Sequence, residues 1–264
     1  MNEKQISVVV PTWNSATTLD WTLLSLRRQR DCVVHIIVAD SGSTDGTLEI
    51  CKHWNVPTVY AEPGNMYRAI NVAMKQCQGE WLAYLNSDDW VYPDSLTRLI
   101  SQGEANGADI VYGNCDYTDG LGRFLYSSSV PRPDQLLSLF RSGIFGFAQQ
   151  SALFRKQVYQ QQNGFDENYS LSADYDFYFR ALLADARFDH LPGPTVACFR
   201  LHANQLTNMK AKEMCAEINA IRSNLSGGIS VLDRVKVAQW RLKNVPHYLL
   251  RLLLRTLLRG RCLG

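Results

Sequence analysis

The chain has 264 residues, of which 46% are hydrophobic, 20% charged and 11% aromatic, and its formal net charge is +2. That length is enough to bury about three quarters of the unfolded surface in one large α/β domain, alone or with a small appendage, without disulfides or a structural metal. The near-neutral balance argues against a nucleic-acid partner, and seven scattered cysteines with no C-x-x-C pair argue against a zinc site or a secreted disulfide framework.

In chain order, Met1–Gln5 leads straight into an apolar strand, Ile6–Val10, with no signal-peptide pattern. The periodicity of Leu19, Leu23, Leu24 and Leu26 predicts an amphipathic helix over about 17–28. A second strand, Val33–Ala39, is closed by the polar turn Asp40-Ser-Gly-Ser-Thr-Asp-Gly46. A helix from Thr47 to Trp54 and a strand near 57–61 follow. Gly64-Asn65 opens a helix on which Met66, Ile70, Ala73 and Cys77 recur at helical spacing, and Trp81–Leu85 is the next strand. Such β-α-β-α alternation predicts a mainly parallel sheet with helices on both faces. In open sheets of this kind ligands bind beyond the carboxyl ends of the strands. Pro11-Thr12, Asp40-Ser41 and Asn86–Asp89 all fall on that edge.

The second half is less regular. Strands are expected at 109–112 and 123–126, a helix from about Pro133, an apolar strand at 152–154 and a last strand at 195–199. Gly143–Ser151 reads as a glycine-punctuated loop, and Ala173–Leu183 as an aromatic helix. Everything after about Asn208 reads as helix. No stretch of about twenty uncharged apolar residues is present, so no transmembrane helix is expected.

The most informative segment is Trp81-Leu-Ala-Tyr-Leu-Asn-Ser-Asp-Asp-Trp90. A short apolar strand ends in adjacent carboxylates, and Pro93-Asp94 then marks a helix start. Oxygen ligands at a strand end suit a hard cation, Mg²⁺ or Mn²⁺, bound by one or two carboxylates together with substrate phosphates. A solvated turn is the plain alternative for an isolated Asp-Asp pair.

Five motifs stand in register: Val8-Val-Val-Pro-Thr-Trp-Asn14, Val38-Ala-Asp-Ser-Gly-Ser-Thr-Asp-Gly-Thr47, Leu85-Asn-Ser-Asp-Asp89, Gly164-Phe-Asp-Glu167 and Ala173-Asp-Tyr-Asp176. Over about residues 5–205 the chain resembles the family 2 glycosyltransferases of GT-A fold. The resemblance implies a Rossmann-like, mixed but mainly parallel α/β sheet with helices on both faces. It further implies inverting transfer of a sugar from a nucleotide diphosphate, with a divalent metal and one catalytic carboxylate.

On that resemblance, Asp40 matches the position that hydrogen-bonds the nucleotide base, and Pro11 and Thr12 lie against the same nucleotide. A carboxylate only accepts hydrogen bonds, which suits the ring N–H of uracil or thymine; the other reading of Asp40 is a cap for the following helix. Arg68 is a candidate for the diphosphate or, equally, for a surface ion pair. The family's D-x-D triplet stands here as Asn86-Ser87-Asp88. Asn86 can still donate to and accept from a ribose hydroxyl, Asp88 is the expected metal ligand and Asp89 its support. Asp174 matches the catalytic base, although the usual acid before it is Ala173. His202, just after the last strand, is either a further metal ligand or an ordinary loop histidine. Gln149 and Gln150 are candidates for sugar-hydroxyl contacts in the cleft.

From Arg234 onward there are eight Lys or Arg residues and no acid, and Arg251, Arg255 and Arg259 form an i, i+4 stripe among leucines. This is the pattern of an amphipathic helix on an anionic membrane surface, or of a terminal helix packed on protein. The expected organisation is a glycosyltransferase domain over 1–207, with a nucleotide-binding half to about 105 and an acceptor half from about 106. A basic helical membrane-association segment spans 208–264. The expected partners are a nucleotide-diphosphate sugar, UDP-sugar favoured, and a lipid-linked or polysaccharide acceptor of the O-antigen or exopolysaccharide kind, with the protein cytoplasmic and peripheral on the inner membrane face. The alternative is a catalytically silent nucleotide-sugar-binding protein of the same fold, for which Asn86 and Ala173 speak. NAD and ATP enzymes are disfavoured because neither G-x-G-x-x-G nor G-x-x-x-x-G-K-[ST] occurs.

Overall fold

The computed structural model describes residues 4–202, 205, 209–225, 227–246, 249 and 253. The first strand, β1 (Gln5–Thr12), is a β-branched run whose side chains alternate between two layers: Ile6, Val8 and Val10 enter one, Val9 the other. Around it lie β2 (Val33–Asp40), β3 (Thr58–Tyr60) and β4 (Trp81–Tyr84), and these four strands run parallel to one another. The sheet continues from β4 through β9 (Ala152–Arg155) and β6 (Ile110–Tyr112) to β10 (Phe188–His190). β9 runs antiparallel to both β4 and β6, so the seven-stranded sheet is mixed but mainly parallel.

Helices cover both faces. One layer holds α1 (Leu19–Arg27), α2 (Thr47–His53) and α4 (Ser95–Asn106); the other holds α3 (Met66–Met74), α5 (Pro133–Arg141) and α7 (Ala173–Leu183). The second layer is an aromatic core in which Phe140 stacks on Tyr175 and Phe154 packs on Phe177, both at 4.9 Å between ring centroids. In the first layer α4 approaches β4 so closely that a Cβ at Gly103 would lie 2.5 Å from the Trp81 ring. Cys51, Cys77, Cys115 and Cys198 are buried as small apolar residues in these layers.

A second sheet of four strands, ordered β5 (Trp90–Val91), β11 (Ala197–Arg200), β7 (Cys115–Thr118) and β8 (Phe124–Ser128), stands beside the acidic turn. The sequence pattern misses β5, β7, β10 and the short helix α6 (Lys156–Gln161). These are two- to six-residue pieces, too short or too polar to show an apolar period, so partners distant in sequence define them.

The C-terminal helices are α8 (Ala211–Leu225) and α9 (Val231–Lys243). They pack on the α/β body, α8 against α7 and α9 against α5. Ser230 and Asp233 form a capping box at the start of α9, and Asp233 also takes a hydrogen bond from Ser138 (2.7 Å). Burial would push Asp233 up, but Ser138, Ser230 and the Arg141 guanidinium together hold it at about 2. Arg251, Arg255 and Arg259 lie outside the described residues; Leu249 and Leu253 are exposed. No described helix is long and apolar enough to cross a membrane.

Candidate active site

The parallel strands bring their carboxyl ends to one edge. Thr12 ends β1 directly opposite Asp40 at the end of β2, and Pro11 pairs with Ala39. All four are buried. The Asp40 carboxylate accepts from the N–H groups of Gly42 and Ser43 (both 2.9 Å), from the Ser43 hydroxyl (2.5 Å) and from the Thr12 hydroxyl (3.3 Å). A carboxylate has about four acceptor sites, so Asp40 is engaged by its own loop and a nucleobase N–H has to displace one of these donors. Asp45 likewise shapes the loop, accepting from Ala16 N–H (3.0 Å) and Thr47 N–H (3.0 Å).

Beyond β4 the chain turns sharply through Asn86–Asp89, and each residue is tied differently. Ser87 shares a 2.7 Å hydrogen bond with Ser15, between β1 and α1. Asp88 Oδ2 lies 2.7 Å from His202 Nε2, so the two expected metal ligands, 114 residues apart, meet directly. Asp89 is fully buried: its Oδ1 accepts from Arg200 N–H (2.9 Å) and its carbonyl from the Thr22 hydroxyl (2.8 Å). Burial first and the neighbouring Asp88 charge second push Asp89 well above the usual carboxylate range. Two oxygens in this turn, Asn86 Oδ1 and Asp89 Oδ2, are buried without a hydrogen-bond partner among the described residues. Buried polar atoms of that kind are scarce in folded proteins and call for a ligand or water.

Asp174 begins the first turn of α7, next to this edge. Its Oδ1 accepts from the Tyr67 hydroxyl (2.9 Å) and from Tyr175 N–H (2.8 Å), and its Oδ2 from the Tyr84 hydroxyl (3.4 Å). Burial pushes Asp174 up to about 6, against the opposing pull of these donors. Burial and the Asp174 charge in turn push both phenols well above their ordinary value, so they remain protonated donors near neutral pH. The buried Tyr178 ring also faces this carboxylate, and its hydroxyl has no hydrogen-bond partner among the described residues. Tyr84 belongs to β4, one residue before the Leu85–Asp89 motif, so the base candidate and the acidic turn share one strand end.

Sequence periodicity offers no way to find Tyr67 or Tyr84, since each reads as an ordinary apolar position and their hydrogen bonds to Asp174 span 107 and 90 residues. The same holds for Glu217 on α8, whose carboxylate holds the N–H groups of Ser170 (3.0 Å) and Leu171 (2.9 Å) just before Asp174.

The remaining candidates divide. Arg68 pairs with Glu167 (3.2 Å) and Glu62 (3.6 Å) at the start of α3, the surface ion-pair arrangement. Gln149 donates to the Tyr84 carbonyl (2.7 Å) and thereby ties the Gln149–Ser151 turn to the end of β4. Gln150 is buried, and its Nε2 has no hydrogen-bond partner among the described residues. Asp176 sits behind the site in an ion pair with Arg180 (2.7 Å), and Arg180 also holds the carbonyl of Gly164, whose φ of +76° is open to glycine.

The residues fit a divalent cation in donor type. Asp88 and His202 offer an oxygen and a nitrogen at one point, and Asn86 Oδ1 is a spare oxygen in the same turn. Among the described residues no group of three or more His, Cys, Asp or Glu has metal-holding spacing.

The model of the family described as Glycosyl transferase family 2 matches residues 7–162, more than half of the chain. The succinoglycan biosynthesis protein ExoO of Rhizobium meliloti is 30% identical over 198 residues, covering 69% of this chain and 57% of its own. The chain thus spans little more than half of that relative. Among solved structures, S. aureus TarS 1–349 in complex with UDP-GlcNAc superposes with a TM-score of 0.68 at 19% identity, over 88% of this chain and 69% of its own. Glucosyl-3-phosphoglycerate synthase from Mycobacterium tuberculosis, in complex with Mn²⁺, UDP and glucosyl-3-phosphoglycerate, gives 0.60 at 18%, over 86% and 82%. At such identities these two structures speak for the fold.

Proposed function

Since this chain belongs to glycosyl transferase family 2, we propose that it transfers a sugar, with inversion, from a nucleotide-diphosphate donor to a hydroxyl of a lipid-linked or polysaccharide acceptor. A UDP-sugar is the favoured donor, in line with the UDP-GlcNAc and UDP held by the two structures of like fold. The relation to a succinoglycan biosynthesis protein supports a polysaccharide or its lipid-linked precursor as acceptor.

The observation that carries this reading is the state of Asp174. A carboxyl raised to about 6, with two tyrosines fixing its oxygens, is a better base at neutral pH than a solvated aspartate and is still mostly ionised at pH 7. Asp174 takes the proton of the acceptor hydroxyl while that oxygen attacks the anomeric carbon from the face opposite the diphosphate. One such displacement inverts the configuration. Thr12 and the Asp40 loop line the nucleotide end of the crevice, Asn86 meets the ribose, and Gln150 donates to a sugar hydroxyl. Asp88 and His202 hold Mn²⁺ or Mg²⁺, which when bound supplies Lewis-acid stabilisation to the departing diphosphate. Arg68 reaches the diphosphate only by leaving Glu167, so its structural ion pair is the favoured role.

The test is nucleotide-diphosphate release from a panel of nucleotide sugars with Mn²⁺ or EDTA, with and without membrane lipid extract. Metal-dependent release with one donor, and loss of transfer in Asp174→Asn, is the expected result. Donor binding without release, lipid extract included, refutes the enzyme reading in favour of a silent nucleotide-sugar-binding protein.

A further inference from the structure

On the far side of the acidic turn, away from Asp174, a cavity of about 580 Å³ opens between α1 and the turn joining β7 to β8. Its volume lies within the range of small-molecule sites. Trp21 and Leu24 line it from α1, Arg28 from the C-cap of that helix, Trp90 from β5, Leu121 from the hairpin turn and Arg200 from β11. Trp21 is 62% and Leu121 81% exposed, so two large apolar side chains stand in water at its rim. Large apolar side chains left exposed around a cavity are a feature of binding sites.

The charge of the lining has one sign. Arg28 and Arg200 are its charged members, there is no acid, and neither arginine forms an ion pair among the described residues. The Arg200 guanidinium lies 5.2 Å over the Trp90 ring, and its Nε is buried without a hydrogen-bond partner among the described residues. Arg200 is half-buried, and its charge also acts on the buried Asp89 behind the cavity wall; a guanidinium set against an aromatic face with an Nε that lacks an acceptor is still an open site for a phosphate or carboxylate oxygen. Aromatic and leucine walls on the same cavity call for hydrocarbon rather than a second polar group.

We propose that this cavity binds an anionic amphiphile, the phosphate-ester end of a lipid, with the head group on Arg28 and Arg200 and the adjoining hydrocarbon against Trp21, Leu24, Trp90 and Leu121. The site is separate from the donor crevice and independent of the chemistry proposed there. It abuts that chemistry, because Arg200 holds Asp89 through its N–H and Gly120, in the cavity wall, lies beside His202. A lipid phosphate seated here puts the membrane next to the acidic turn.

The experiment is calorimetric titration of the full chain with dodecyl phosphate below its critical micelle concentration. Inorganic phosphate and a neutral dodecyl oligo(ethylene glycol) ether serve as comparison probes. The expected result is saturable 1:1 binding of dodecyl phosphate, weakened about fivefold in Arg28→Gln and by at least as much in Trp21→Ser, and unchanged in Arg251→Gln. Both weakening substitutions are at exposed positions and leave the core alone. Four results overturn the proposal: no saturable binding, equal affinity for the neutral ether, inorganic phosphate binding as tightly as dodecyl phosphate, or unchanged binding in both cavity variants. Concentration-dependent dimerisation abolished by Trp21→Ser also overturns it, by assigning the cavity to a second copy of the chain.

Discussion

Tyr67→Phe removes one hydroxyl and leaves a ring that stays packed on Phe165 and Tyr84, at centroid distances of 5.6 and 6.3 Å. The lost hydrogen bond is the 2.9 Å one to Asp174 Oδ1, the foremost of the interactions that oppose burial at this carboxyl. Hydrogen bonds to a charged acceptor are worth roughly 1.5–3 kcal/mol, and the protonated acid keeps part of that. The net preference for the ionised form therefore falls by about 1.4 kcal/mol, or one pH unit. Asp174 moves from about 6 toward roughly 7. The groups facing it from α3, β4 and α7 are the phenols of Tyr67, Tyr84 and Tyr178, all raised above their ordinary value, so none titrates in this window. Rates of nucleotide-diphosphate release on transfer, measured as kcat/KM from pH 5 to 9, report the free enzyme. The acid limb should move up by about one unit, which gives roughly a threefold loss at pH 6.5 and convergence with wild type above about pH 8.5. An unmoved limb, or a uniform loss at every pH, refutes the assignment of Asp174 as the titrating base held by Tyr67.

Two further outcomes follow from the same structure. Because Asp174 is raised from 3.8 to about 6 on folding, the folded state binds its proton more tightly than the unfolded chain, and stability is lost as pH rises through that window. At about 1.36 kcal/mol per unit the penalty at pH 7 is about 3 kcal/mol, so Asp174→Asn should raise Tm by several degrees at pH 7.5 and by little at pH 4.5; an equal shift at both refutes it. Removal of residues 245–264 takes away Leu249, Leu253 and the Arg251, Arg255 and Arg259 stripe. Truncated protein should sediment much less than full-length protein with vesicles rich in anionic lipid; undiminished sedimentation defeats the tail as a membrane anchor.

Much of the site was legible because its chemistry is local. The strands that carry Thr12, Asp40 and Asn86–Asp89 declare themselves by short β-branched or apolar runs, each ended by a polar turn. Parallel β-α-β winding then obliges those three ends to share one edge. Asp174 is legible only through its motif, and His202 only through its place after the last apolar strand. Tertiary structure alone decided how these groups are held, because the determining contacts join residues between 47 and 114 positions apart. Tyr67 and Tyr84 reach Asp174, His202 reaches Asp88, and Glu217 braces the loop before Asp174. It also decided that Asp40 is occupied by its own loop and Arg68 by Glu167, outcomes fixed by side-chain geometry that residue type leaves open. Periodicity and turn chemistry record which face and which edge a residue occupies; hydrogen-bond partners and desolvation, and with them the protonation of Asp174 and Asp89, depend on what the fold packs against it.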